Sequence, residues 1–237
     1  MKEVNSYGWK AVIGSSIGYA MDGFDLLILG FMLTLISGDL GLTTGQAGSL
    51  VTWTLVGAVI GGFIFGTLSD KFGRVRVLTW TIVLFAVFTG LCAFAQGYWD
   101  LLIYRTIAGI GLGGEFGIGM ALAAEAWPAQ HRAKATSYVA IGWQLGVLAA
   151  ALLTPVLLPY IGWRGMFMVG IIPAFVAWFF RAKLHEPEIF VQSKEIKEHS
   201  HTNSFKLLVK DVRTTKTSIG VAILTSVQNF GYYGIMI

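Results

Sequence analysis

Long apolar runs separated by short polar turns fill the chain from Ala11 onward. Seven can be drawn, at residues 11–37, 47–69, 77–96, 99–124, 136–159, 165–181 and 217–237. Each approaches or exceeds the ~17–25 residues that an apolar helix needs to cross a bilayer. The sixth is the shortest, and the seventh runs to the last residue. The one sizeable polar stretch, 182–216, sets Glu186, Glu188, Glu195, Glu198 and Asp211 among Lys and Arg. The pattern predicts an all-α integral membrane protein. Residues 1–181 form a six-helix bundle, 182–216 a loop between bundles, and 217–237 a truncated seventh helix that begins a second bundle.

Composition agrees: 55% of the 237 residues are hydrophobic and 13% are charged, with a mean hydropathy of +0.67. A soluble domain carries about 25% charged residues. The net charge of +4 follows the turns rather than a nucleic-acid surface. With the N-terminus inside, fifteen of the seventeen Lys and Arg fall in inner segments. Only Arg164 lies in an outer loop, and Arg105 lies within a helix. That asymmetry predicts a multi-pass protein of the cytoplasmic (inner) membrane with its N-terminus in the cytoplasm. The first run is too long, and too acidic, for a cleavable leader. Cys92, the single cysteine, reads as a small apolar filler. His199 and His201 lack further ligands and read as solvated loop residues. No nucleophile–base pair or metal cluster stands in the loops, so neither an enzyme, a metal nor a cofactor is expected.

Two carboxylates interrupt the first run, at Asp22-Gly23-Phe24-Asp25. A charged side chain near the bilayer centre costs roughly 2.5–3.5 kcal/mol on insertion scales. Residues three apart lie about 60° from each other on a helix, so Asp22 and Asp25 share a face, which belongs against water or protein. The fourth run adds Arg105 and Glu115. Four such groups facing lipid would cost on the order of 10 kcal/mol, rivalling the stability of a whole domain. They are expected to share a wet or paired environment in which one arginine faces three carboxylates. Six glycines between 109 and 119 predict a neighbouring helix packed close against the fourth. Gly142 and Gly146 make a second small-residue pair.

The turn Gly66-Thr67-Leu68-Ser69-Asp70-Lys71-Phe72-Gly73-Arg74 is the most specific motif. Gly66 is expected to allow close helix approach, Asp70 to accept hydrogen bonds at a helix end, and Gly73 to permit a tight turn. Leu158–Arg164 repeats the Gly and Arg at the turn after the fifth run. By the topology above the two turns lie on opposite sides, as an inverted repeat would place them. The 66–74 turn resembles the signature loop between helices two and three of the major facilitator superfamily. Val75 stands where that family usually has a second basic residue. Arg105 followed by glycines, Glu125-Ala126-Trp127-Pro128 and Leu184-His185-Glu186-Pro187-Glu188 strengthen the likeness. Gln228-Asn229-Phe230-Gly231-Tyr232-Tyr233-Gly234 does so too. Within the family the chain is most similar to the aromatic-acid and sialate-type metabolite–proton symporters.

The resemblance implies the N-terminal portion of a twelve-helix transporter whose C-terminal half-bundle is the missing partner. It implies proton-coupled symport of a small organic anion. The fifth helix lacks the Gly-Pro usual in the family's antiporters. Asp22, Asp25 and Glu115 would be proton-linked. Arg105 would hold the substrate carboxylate or balance an Asp. Gln144, Gln228, Asn229 and Tyr232 would contact substrate. Gly66, Asp70, Gly73 and Arg74 would form a cytoplasmic gate. The alternatives are an uncoupled facilitator or exchanger of sugars or organic acids, and a seven-helix receptor or light-driven pump. The last is disfavoured because the seventh run has no Lys for a retinal linkage.

Overall fold

The computed structural model describes residues 6–181, 184–187, 190 and 211–236. The helices are α1 (Ser6–Leu40), α2 (Thr44–Phe72), α3 (Arg74–Cys92), α4 (Tyr98–Glu125), α5 (Arg132–Arg181) and α6 (Val212–Met236). A 3₁₀ turn, Ala129–His131, precedes α5. No strand occurs among the described residues. The chain divides into two units, one ending at Phe190 and the other beginning at Val191.

Turn chemistry sets the boundaries. Gly41 (φ 63°) ends the α1 segment, and Thr43 with Gln46 forms a reciprocal capping box that starts α2. Pro128 has no N–H to continue α4. Asp211 starts α6 earlier than hydropathy suggests. Its carboxylate accepts from the Thr214 backbone N–H and hydroxyl, both at 2.9 Å. The polar residues Arg213 to Lys216 therefore belong to the helix.

α5 holds the expected pair of spans within one element. Two helical arms between 132 and 181 are joined at the single non-helical residue Gly162 (φ 64°, ψ −178°). Contacts show that the chain reverses there. Gly142 packs on Ser16 and Gly146 on Ala20, so the first arm rises with α1. Beyond the break, Trp163 bonds Asp39 and Gly170 packs on Ile28, so the second arm runs against it. The first unit thus makes six passes.

Pairwise packing gives a row of four helices: the first arm of α5, then α1, α4 and α2, with α3 behind against α4 and the second arm. The glycines of α4 serve two faces. Gly109 and Gly113 meet the carbonyls of Thr54 and Ala58 on α2, and Gly111 and Gly114 meet Thr81, Phe85 and Phe65. Gly57 and Gly61 of α2 answer on the carbonyls of Thr106 and Ile110. A side-chain carbon at Gly66 would have nothing within 4 Å among the described residues, and α2 meets α4 through Gly57 and Gly61.

The end carrying Gly162 is clasped by Asp39. The Trp163 indole N–H donates to its Oδ2 at 3.1 Å, and the Arg164 guanidinium donates to the same oxygen. Arg164 also donates to the Ala95 carbonyl (3.1 Å) and lies 4.1 Å over the Trp163 ring. The hydrogen bond from Arg164, then that from Trp163, holds the Asp39 carboxyl below its ordinary range. A carboxyl with a depressed pKa stabilises the fold above its unfolded pKa, and the gain is lost as pH falls through the lower folded value. Asp39→Asn should therefore lower the Tm slightly at pH 7. The gap from wild type should narrow in melting scans taken toward pH 3.

Candidate functional site

The centre of the site is an ion pair between α1 and α4. Asp25 is 1% exposed and Arg105 fully buried. Arg105 donates in a bidentate fork, NH1 to Oδ1 at 2.9 Å and NH2 to Oδ2 at 2.7 Å. Its guanidinium also lies 5.8 Å from the Phe167 ring of the second α5 arm. A planar guanidinium matches a carboxylate in this geometry better than an ammonium does. Either charge alone at this depth would carry a desolvation penalty of several kcal/mol.

Asp22, one turn from Asp25, is also buried at 1% exposure. Glu115 lies elsewhere. It is ten residues from Arg105, about 15 Å along the helix at 1.5 Å per residue. Its carboxylate accepts from the Thr81 hydroxyl of α3 at 3.3 Å. The expectation of three carboxylates around one arginine is therefore corrected: Asp25 takes the fork, and Glu115 belongs to the α3–α4 seam. Ten residues turn position 115 only about 80° from 105, so it is the rise along the axis that separates them. Asp22, Asp25 and Glu115 are all buried within the bundle.

A second constellation occupies the end carrying the 66–74 turn. Arg74 NH1 donates to Asp70 Oδ1 (2.6 Å) and Ser69 Oγ (2.7 Å), and NH2 to Glu125 Oε1 at 3.1 Å. Burial alone would lower the Arg74 pKa; the Glu125 and Asp70 carboxylates outweigh it and hold it above its ordinary value. Glu186 caps α3 from 112 residues away, accepting from the backbone N–H groups of Arg74 (2.7 Å), Val75 (3.3 Å) and Arg76 (3.1 Å). A carboxylate at a helix N-terminus meets both free N–H groups and the positive end of the dipole. Gly73 makes room, because at φ 110° any side chain is strained and its first carbon would overlap Glu186. Leu184 packs with Ala11, Val75, Val77, Leu78, Ile118 and Leu122, and Arg74 lies 5.9 Å from the Phe190 ring. The Tyr7 hydroxyl donates to the His185 carbonyl at 2.6 Å. Burial, then the nearby charges of Glu186 and Glu125, raise its pKa to about 12.

Gln144 is exposed, two residues past the Gly142 contact and so ~200° round the helix from α1. Gln228, Asn229 and Tyr232 fall on α6, with side chains outside the described residues, as is Glu188. Sequence reasoning missed the capping role of Glu186 and the share of Glu125 in the Arg74 cluster. The Leu184–Glu188 string marked the segment but carried no sign of its partner. The Glu125–Pro128 string likewise gave no sign that the Trp127 indole N–H donates to the Gly8 carbonyl at 3.0 Å, nor does sequence show that Tyr19, Phe116 and Trp143 meet as an aromatic group.

A family model described as Major Facilitator Superfamily matches residues 15–237. A Haemophilus influenzae chain, named only provisionally as a metabolite transport protein, is 76% identical over 99% of this chain and 59% of its own length. The cis,cis-muconate transport protein of Acinetobacter baylyi is 33% identical over 98% of this chain and 57% of its own. The sialic acid transporter NanX of Escherichia coli is 33% identical over 81% and 48% respectively. The chain thus spans about half the length of the curated relatives it matches. Among solved structures, the inward-open xylose transporter XylE of Escherichia coli superposes with a TM-score of 0.70 at 22% identity. That match covers 93% of this chain and 57% of XylE, a likeness of fold alone.

Proposed function

We propose, from the premise that this chain belongs to the Major Facilitator Superfamily, that the full-length protein imports a small organic anion together with protons. It would do so across the cytoplasmic membrane, with its N-terminus inside. The observation that carries the reading is the buried Asp25–Arg105 fork. Buried ion pairs are poor stabilisers, since desolvation offsets much of the attraction. Intramembrane ionisable groups accordingly mark ion, proton or substrate routes. Protonation of Asp25 removes the partner of Arg105 and leaves a buried guanidinium seeking an anion. A substrate carboxylate answers that need, which links proton uptake to anion binding. Asp22 and Glu115 are further proton-linked groups in this scheme, and Gln144, Gln228, Asn229 and Tyr232 further substrate contacts.

Gly66, Asp70, Gly73 and Arg74 act as a cytoplasmic gate, joined by Glu125 and Glu186, whose carboxylates hold Arg74 and the start of α3. The open side of Gly66 leaves space for a helix of the C-terminal half. Residues 1–181, 182–216 and 217–237 serve as first bundle, linker and start of the second. The names of the relatives, a muconate transport protein and a sialic acid transporter, fit an anionic metabolite. The Lys and Arg distribution supports the orientation.

The test is uptake of labelled benzoate, cis,cis-muconate and sialic acid into proteoliposomes holding the full-length protein. An inward acid gradient should accelerate one of them. Asp25→Asn should abolish that acceleration while leaving exchange of internal for external substrate. A gradient without effect on the wild type would favour the uncoupled facilitator or exchanger. Proton movement unchanged in both Asp22→Asn and Asp25→Asn would overturn the coupling scheme.

A further inference from the structure

A stripe of exposed side chains runs down α3 on the side opposite α4. Arg76, Trp80, Val83 and Val87 are all exposed. At about 100° per residue they fall within ~60° of one another. Thr81 and Phe85, which meet Gly111 of α4, lie ~140° and ~180° from Arg76. The stripe is charged at its first residue and apolar from there on.

Beside it lies a groove between α3 and the second α5 arm. Val83, Ala86 and Val87 form one side, and Ala174, Phe175 and Trp178 the other. The two alanines leave a slot between larger walls. The helices are already in contact beyond it, where a side-chain carbon on Gly90 would overlap Ile171. A further helix needs its axis 8–10 Å from each neighbour, so a slot of this kind suits a single chain of methylenes. No water is at hand in the hydrocarbon to fill it.

The charged end has the opposite chemistry. The Trp80 ring lies 5.6 Å from that of Phe72 at the end of α2, and Lys71 beside Phe72 is exposed. Nearby carboxylates are engaged elsewhere. Asp70 and Glu125 pair with Arg74, and Glu186 takes the backbone N–H groups that open α3. Among the described residues neither Lys71 nor Arg76 has an ion-pair partner. Cations flanked by aromatic rings at the end of a span suit the headgroup layer and its anionic lipids. The length fits as well. Arg76 and Val87 are eleven residues apart, ~16 Å along the axis, and one leaflet contributes half of the ~30 Å hydrocarbon core.

The geometry points to a site for one anionic phospholipid, its phosphate on Arg76 and one acyl chain in the groove that ends at Val87 and Ala174. Lys71 adds to the preference for a net negative headgroup, since a zwitterionic one brings a cation of its own. Phe72 and Trp80 cover the glycerol region between phosphate and chain.

The test is thermal melting of the full-length protein in detergent, titrated with dioleoylphosphatidylglycerol or dioleoylphosphatidylcholine. A lipid that binds the folded protein raises its Tm by mass action. The anionic lipid should reach half its effect at a concentration about tenfold lower than the zwitterionic one, and Arg76→Gln should cut that preference to about twofold. Ala86→Leu, which fills the slot, should weaken both lipids alike and keep their ratio. Val87→Phe should do the same from the rim, should Ala86→Leu not fold. Phe94→Ala, on the separate cavity toward the other end of α3, should change neither. Glycerol 3-phosphate alone should not shift the Tm. Equal effects of the two lipids, or a preference that survives Arg76→Gln, overturn the site. Protection by glycerol 3-phosphate overturns it in favour of a soluble phosphate site. A dimer in detergent that Ala86→Leu dissociates overturns it in favour of a second copy. Binding is read without uptake, so the outcome stands apart from the transport reading.

Discussion

Arg105→Leu is expected to destabilise the full-length protein by about 3–5 kcal/mol, the usual effect of stripping one partner from a buried ion pair. The cause is not the loss of two hydrogen bonds as such. Asp25 is 1% exposed and would be left as a lone buried carboxylate in a low dielectric. At about 2–4 °C per kcal/mol, the apparent Tm in detergent should fall by roughly 10 °C. Asp25→Asn alone should do nearly as much damage, because the guanidinium is then orphaned. The double variant Asp25→Asn/Arg105→Leu should recover most of the loss, since a neutral pair leaves no uncompensated charge. It should not recover gradient-driven uptake. Thermal melts and uptake assays on all three proteins therefore separate the folding role of the pair from its transport role. Additive losses in the double variant would show that the fork does not hold the charges together.

The second large effect comes from two glycines one turn apart on α4. A side-chain carbon at Gly113 would overlap the Ala58 carbonyl, whereas one at Gly117 would meet nothing within 4 Å. Gly113→Ala must push α2 and α4 apart, and overpacking of this kind costs typically 1–3 kcal/mol. Gly117→Ala has no such obstacle and gains up to about 1 kcal/mol in helix propensity. The same substitution should thus lower the Tm at one site and hold or raise it at the other. Gly66→Ala should behave like Gly117→Ala in this half of the protein. Similar melting points for Gly113→Ala and Gly117→Ala would contradict the packing of α2 on α4.

The membrane-spanning helices were legible because hydropathy is a local property, and six passes in the first unit match six of the apolar runs. Their ends were less so. The capping box at Thr43, the Asp211 cap and the one-residue turn at Gly162 are decided by hydrogen bonds and a positive φ, to which hydropathy is blind. The motif at 66–74 announced itself, but not what Arg74 holds: Asp70 is four residues away, while Glu125 and Glu186 come from distant parts of the chain.

By itself the sequence determined that four ionisable groups lie inside apolar spans, that Lys and Arg crowd one side, and that glycines on α4 must meet close neighbours. Those follow from the energy of charge in hydrocarbon and from side-chain size. Only the tertiary structure decided which groups meet. It gave Asp25 to Arg105, sent Glu115 to Thr81, set Glu186 on the N-terminus of α3 and brought Tyr19, Phe116 and Trp143 together. Such partnerships depend on the register and rotation of one helix against another, and these are fixed by packing summed over whole interfaces rather than by any single residue.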